Sequence, residues 1–298
     1  MSVSRLPAPT RSAILLVGTA AIAALSPPAL APPGGNNPGD TIELTGVVRD
    51  FLPTHPDFDV VPPEGYGHYM WNIATGMNDD GRPVYEGGGY KVLTQAHDVL
   101  GRPICWTLYD ADAGDTPAEP DSPDTGSITS AETFDEWFRD VPGVNMSTLV
   151  TVTGVMQEDG DYAGLYEVNI PQFYPIDDTL FDDDPEEHNH FFTFTIAAQF
   201  THDASAGYVL MFKSDDDAYI FMEGPGIPEG GRLIGDLGGI NGSPEQWVEL
   251  NRLGLVDGEA YQIYFFKADR NDASSRLHLL TNVPFTSLVP TTILAAFD

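Results

Sequence analysis

Residues 208–239 read YVLMFKSDDDAYIFMEGPGIPEGGRLIGDLGG, and this stretch decides the fold class. Tyr208, Leu210 and Phe212 alternate up to Ser214, and Ala218 to Met222 runs apolar into a Glu223-Gly224 turn, so both flanks of the acidic triplet read as β-strands. Asp215, Asp216 and Asp217 repel one another at that junction unless they are solvated or a cation lies among their oxygens. Ca²⁺, which takes roughly six to eight hard oxygen ligands, suits such a cluster. Neighbouring residues of a regular strand point to opposite faces, so Asp215 and Asp216 reach one ion only where the backbone between them is irregular, a cis peptide being one such irregularity.

Working outward, residues 42–51 form a first strand, preceded at 32–40 by the linker PPGGNNPGD. Residues 53–124 are rich in Gly, Pro and Asp with short apolar runs at 89–93 and 104–109, the pattern of an elaborated loop region. One helix is expected, with Thr129 and Glu132 as a capping box and Phe134, Trp137 and Phe138 on its core-facing stripe. Further strands follow at 149–156, 164–170, 190–200, 232–234, 246–250, 261–266 and 276–281. Many short strands separated by turn residues, with a single short helix, predict an all-β antiparallel sandwich with long loops.

The segment SDDDAYIFMEG at 214–224 lines up without a gap against the pattern S-D-D-G-x-x-φ-x-φ-D-G, where φ is apolar. TGVVRDF at 45–51, HPDF at 55–58, GRPVY at 81–85, WFRDVPGVN at 137–145, His188-Asn189 before FTF at 192–194, DLGG at 236–239 and FFKADR at 265–270 add an ordered series, ending near Ser275 and Thr281-Asn282. In these pieces the chain from about 41 to 283 resembles the fibro-slime domain, a member of the wider PA14 group. It departs from that pattern at Tyr219, where tryptophan is usual, at Asn241, where histidine often stands, and at Lys267, which is additional. The resemblance implies one PA14-like two-sheet β-sandwich over 41–285, followed by a tail at 286–298. It also implies an Asp215-Asp216 pair ligating Ca²⁺, with Asp217, Asp269 and Asn271 as further oxygen donors, and an adhesive or lectin-like role; the alternatives are that Asp215 and Asp216 brace the loop through backbone N–H groups without metal and that 269–272 forms an Asx turn.

Composition narrows the partners. A formal net charge of −32 with three lysines, Lys91, Lys213 and Lys267, excludes the basic patches that nucleic acid and anionic membrane surfaces reward. At the amino terminus Arg5 and Arg11 flank an apolar run at 13–25, and Ala29-Leu30-Ala31 completes a secretory signal over 1–31. Pro32 disfavours cleavage there, which leaves Ala21-Ile22-Ala23 as a second site and an uncleaved anchor as a further possibility. No other stretch is apolar enough to cross a membrane. Cys105 is the single cysteine, so no intramolecular disulfide forms, and its place in the apolar run from Ile104 reads as a buried core strand.

These readings converge on an exported, non-catalytic recognition module at the cell surface or beyond it, binding carbohydrate or matrix. The alternative is a structural component of an extracellular matrix or slime layer. Tyr219, Tyr208 and Trp247 are candidates for stacking on a sugar, although each also suits core packing. Arg49 and Arg270 are candidates for buried ion pairs with aspartate. DDDPEEHNH at 182–190 combines carboxylates with an H-x-H pair, either a transition-metal site or an acidic loop whose His188 and Asn189 satisfy backbone groups. No serine or histidine lies in a nucleophile-elbow context.

Overall fold

The computed structural model describes residues 41–181 and 188–289. The expected signal and linker, the acidic run 182–187 and the last residues of the tail lie outside the described residues. The chain is all-β and antiparallel. Its strands are β1 (Thr41–Phe51), β2 (Tyr69–Met70), β3 (Tyr90–Thr94), β4 (Ala96–His97), β5 (Pro103–Ile104), β6 (Glu119–Pro123), β7 (Asn145–Met156) and β8 (Tyr166–Ile170). There follow β9 (Phe192–Thr201), β10 (Val209–Ser214), β11 (Ala218–Glu223), β12 (Arg232–Leu237), β13 (Glu245–Glu249), β14 (Ala260–Asp269), β15 (Leu277–Thr281) and β16 (Thr286–Ser287).

The sandwich is one sheet folded over on itself, in the order β12-β11-β14-β9-β1-β7-β8-β15-β10-β13, with β16 continuing along β9. Phe212 of β10 meets Phe265 of β14 across the interior, ring centroids 6.3 Å apart. The two ends, β12 and β13, pack against each other, which nearly closes the sheet into a barrel. The two layers are therefore halves of one continuous ladder. The 11-residue β1 and 12-residue β7 carry the turn between them, paired from Thr41↔Val155 to Phe51↔Asn145.

The region between β1 and the helix forms two small sheets, β2-β3-β6 and β4-β5, that pack on the sandwich. Phe58, Ile73, Ala96, Ile104 and Leu108 belong to the same buried cluster as Val48, Phe212 and Phe265. Burying each such side chain contributes roughly 1.5–3 kcal/mol. The junction is close. A Cβ added to Gly239, at φ +90°, would sit 2.3 Å from the Tyr69 ring, so only glycine lets β2 dock there.

Two local expectations are corrected. The run 104–109 is not a strand: β5 ends at Ile104 and a 3₁₀ turn covers Trp106–Leu108. Trp106 Nε1 and Thr107 Oγ1 donate across to Asp236 and to the Leu233 carbonyl, which fixes the segment by side chains instead of a ladder. The helix is Ala131–Asp135 (α1), capped by Ser130 with Thr133 rather than by Thr129 with Glu132. Thr129 is already committed, its N–H donating to Asp57 Oδ1 at 2.7 Å and its hydroxyl to the Pro56 carbonyl. Cys105 is fully buried, and burial pushes its thiol up to about 12, as a core residue requires.

Candidate cation and ligand site

The turn from β10 to β11 places Asp215, Asp216 and Asp217 inside the protein, at 6%, 3% and 0% exposure. Among the described residues no peptide is cis. The irregularity lies instead at Asp216, a non-glycine residue at φ +54°, which breaks the strand alternation within the triplet. Three adjacent carboxylates are thereby sent to three different sets of partners.

Asp217 faces Arg270. Its Oδ2 accepts from Arg270 Nε at 2.7 Å, while Oδ1 accepts from the Tyr219 hydroxyl and the Gly239 N–H, both at 2.7 Å. Asp215 is held by serines, with Ser274 Oγ donating at 2.8 Å and Ser243 Oγ to the other oxygen. Asp216 accepts backbone N–H groups of Arg270 at 2.7 Å and Asn241 at 3.3 Å, one to each oxygen. Lys267, fully buried on β14, donates from Nζ to the Asp215 carbonyl at 2.7 Å.

Asp269 is different. It is fully buried at the end of β14, and neither oxygen accepts a hydrogen bond from a neighbouring donor, while the Asp216 carboxyl lies against it so that one shared proton would pair the two. Ser275 lies beside it, yet the Ser275 hydroxyl is also unpartnered and meets no hydrogen-bond geometry with Asp269; Asn241 Oδ1 is likewise unpartnered. Burial pushes the Asp269 carboxyl well above the ordinary range, with Asp216 adding to the rise and Lys267 opposing it. Burial also pushes Asp216 up to about 6, against the pull of Lys267 and Arg270. With every group ionised, four carboxylates face the two cations Lys267 and Arg270, which leaves two net negative charges out of water.

Donors and charge together fit a divalent, oxygen-seeking ion. Asp269 offers both oxygens and Asp216 its remaining lone pairs, with the neutral oxygens of Ser275 and Asn241 nearby. The fuller set expected from the sequence does not converge: among the described residues no three His, Cys, Asp or Glu side chains gather closely enough to hold a metal. Asp217 is occupied by Arg270. Asn271 turns away, its Nδ2 donating to the Tyr66 hydroxyl and its Oδ1 accepting from the Ala273 N–H.

The expected sugar-stacking residues are corrected. Tyr219 is 1% exposed, its ring against Phe134 and its hydroxyl on Asp217, and Tyr208 is buried beside Phe200. Tyr219 lies on the face of β11 that α1 covers, and Tyr208 just precedes β10. Trp247 is half-buried beneath the Arg102 guanidinium, 5.4 Å from the ring centroid. At the H-x-H pair, His188 donates or accepts at Asp177 Oδ2 (2.7 Å) and stacks on Tyr174 at 3.8 Å, while the Asn189 N–H and side chain bond Asp177 and Asp50. These two residues brace the entry to β9. Sequence reading missed Ser243 and Ser274, which carry no pattern of their own, and met Ser275 only as the end of the family series. Lys267 did carry a signal, being a lone cation in an apolar strand.

No protein-family model matches the chain. It is 31% identical over 169 residues to protein psiC of Dictyostelium discoideum, a match covering 54% of this chain and 31% of psiC. To psiD of the same organism it is 28% identical over 255 residues, covering 83% of this chain and 42% of psiD. To psiJ it is 30% identical over 172 residues, covering 52% and 22%. The chain thus matches less than half the length of each of these relatives.

Proposed function

We propose that this chain is an exported, non-catalytic recognition module that binds carbohydrate or extracellular matrix and carries Ca²⁺ at its Asp216–Asp269 tip. The observation that carries the metal is the buried Asp269 carboxyl group, which accepts no hydrogen bond from a neighbouring donor and lies against Asp216. A bound ion would hold the two carboxylates together and supply a Lewis-acidic centre for hydroxyl oxygens. The chain's own part is to fix the donors: Arg270 and Asn241 orient Asp216 through their N–H groups, and Arg270 holds Asp217 out of the way. Export is supported by the sequence of residues 1–31, and carbohydrate by the resemblance to lectin-like domains.

Calorimetric titration of chelator-treated protein with Ca²⁺, set beside Asp269→Asn, tests the metal. Saturable binding in the wild type and none in the variant is the expected result; binding that persists in Asp269→Asn places the ion elsewhere. A glycan array with and without Ca²⁺ then tests recognition. An empty array, together with concentration-dependent oligomers, would favour the structural matrix role.

A further inference from the structure

The aromatic rings that the sandwich does not offer are offered by the elaboration. Trp71, Tyr90 and Trp106 gather at its surface, with Trp71 centred 6.0 Å from Tyr90 and 6.2 Å from Trp106. Tyr90 is 39% exposed and the two indoles are half-buried. The cluster is rigidly mounted. Trp106 Nε1 donates to the buried Asp236 carboxyl group at 2.9 Å. Tyr69 bridges to Gly238 through its N–H at 2.7 Å, and Trp71 itself is held at φ +68°. Among the described residues the Trp71 indole N–H and the Tyr90 hydroxyl enter no hydrogen bond, so both stay free at the rim of the rings.

Half-exposed rings on a fixed base, edged by free donors, suit a ligand with apolar C–H faces and equatorial hydroxyls. A pyranose has both. The charge of the chain selects among saccharides: at −32 overall, uronate and sulfated chains are repelled. We propose that Trp71, with Tyr90 set at 85° and Trp106 at 50° to its ring, forms an angled stacking platform for neutral hexopyranose polysaccharide, separate from the aspartate tip. This inference rests on the carbohydrate reading above and locates the sugar away from the metal.

Affinity electrophoresis in native gels containing a neutral glucan, a neutral galactomannan or a polyuronate tests it on the full chain. The wild type should be retarded by at least one neutral polymer and not by the polyuronate. Trp71→Ala and Tyr90→Ala should each weaken that retardation by about tenfold, whereas the exposed control Tyr162→Ala should leave it unchanged. Tyr90 is exposed enough that its removal leaves the core intact, and far-UV circular dichroism confirms folding of each variant. Folded Trp71→Ala and Tyr90→Ala proteins that are retarded like the wild type overturn the platform, as does a wild type that runs freely in every neutral gel. Retardation abolished by chelator and by Asp269→Asn, but not by the ring variants, overturns the platform and leaves the calcium-dependent reading standing.

Discussion

Arg270 organises the tip. Its guanidinium bonds Asp217 and the carbonyls of Asp57 and Gly126, and lies 4.8 Å over the Trp137 ring, while its backbone N–H holds Asp216. Arg270→Met removes one member of a buried pair and leaves Asp217 without a counter-charge, so thermal unfolding should show a loss of about 3–5 kcal/mol. Arg270→Lys should recover little of this, because a single ammonium cannot reproduce the fork. Asp269→Asn acts in the opposite direction: at high pH, where the buried Asp269 is forced to ionise, the variant lacks that charge, so chelator-treated variant should melt above chelator-treated wild type there and lose its response to Ca²⁺. A variant that melts lower would show Asp269 to be structurally partnered. In sequence the three aspartates 215–217 are equivalent, and the acidic cluster itself was legible. What separates their roles is one backbone rotation at Asp216 together with partners some twenty-five to sixty residues away, and neither leaves a local trace.

Helix α1 shows the same limit one level up. Thr129 and Ser130 are both good N-caps, and each has a suitable partner three residues on. The choice is made by Asp57, 72 residues earlier, which takes the Thr129 N–H and also the Trp137 Nε1. Ser130→Ala should therefore cost about 1 kcal/mol in denaturant unfolding, while Thr129→Ala should cost less than half of that. The long strands were legible because alternation and turn residues repeat along them. The two-residue strands β2, β4 and β5 were not, since their apolar patterning is too brief to distinguish from loop and their positions are fixed by contacts such as Tyr69 with Gly238.

At the scale of the whole molecule, acid should stabilise the metal-free protein. Burial raises Asp216 to about 6 and Asp236 to about 7, so the folded state binds these protons more tightly than the unfolded chain does. The resulting stability is fully present below the ordinary carboxylate range and is lost as pH rises through about 6 and 7. In chelator the melting temperature should climb as pH falls from 8 to 5, and Asp236→Asn should flatten the upper part of that rise. A curve that falls over this range would refute the burial of these groups. Saturating Ca²⁺, which takes the place of protons at Asp216 and Asp269, should stabilise more at pH 8 than at pH 5. The three-stranded sheet bears on how such a protein behaves when concentrated. Its outer strand β6 reads EPDSP, with prolines at 120 and 123 that lack the N–H a neighbouring strand needs, and carboxylates at 119 and 121. That border cannot template further strands, so when copies are concentrated backbone-driven fibre growth is blocked at this edge and contact is left to side chains.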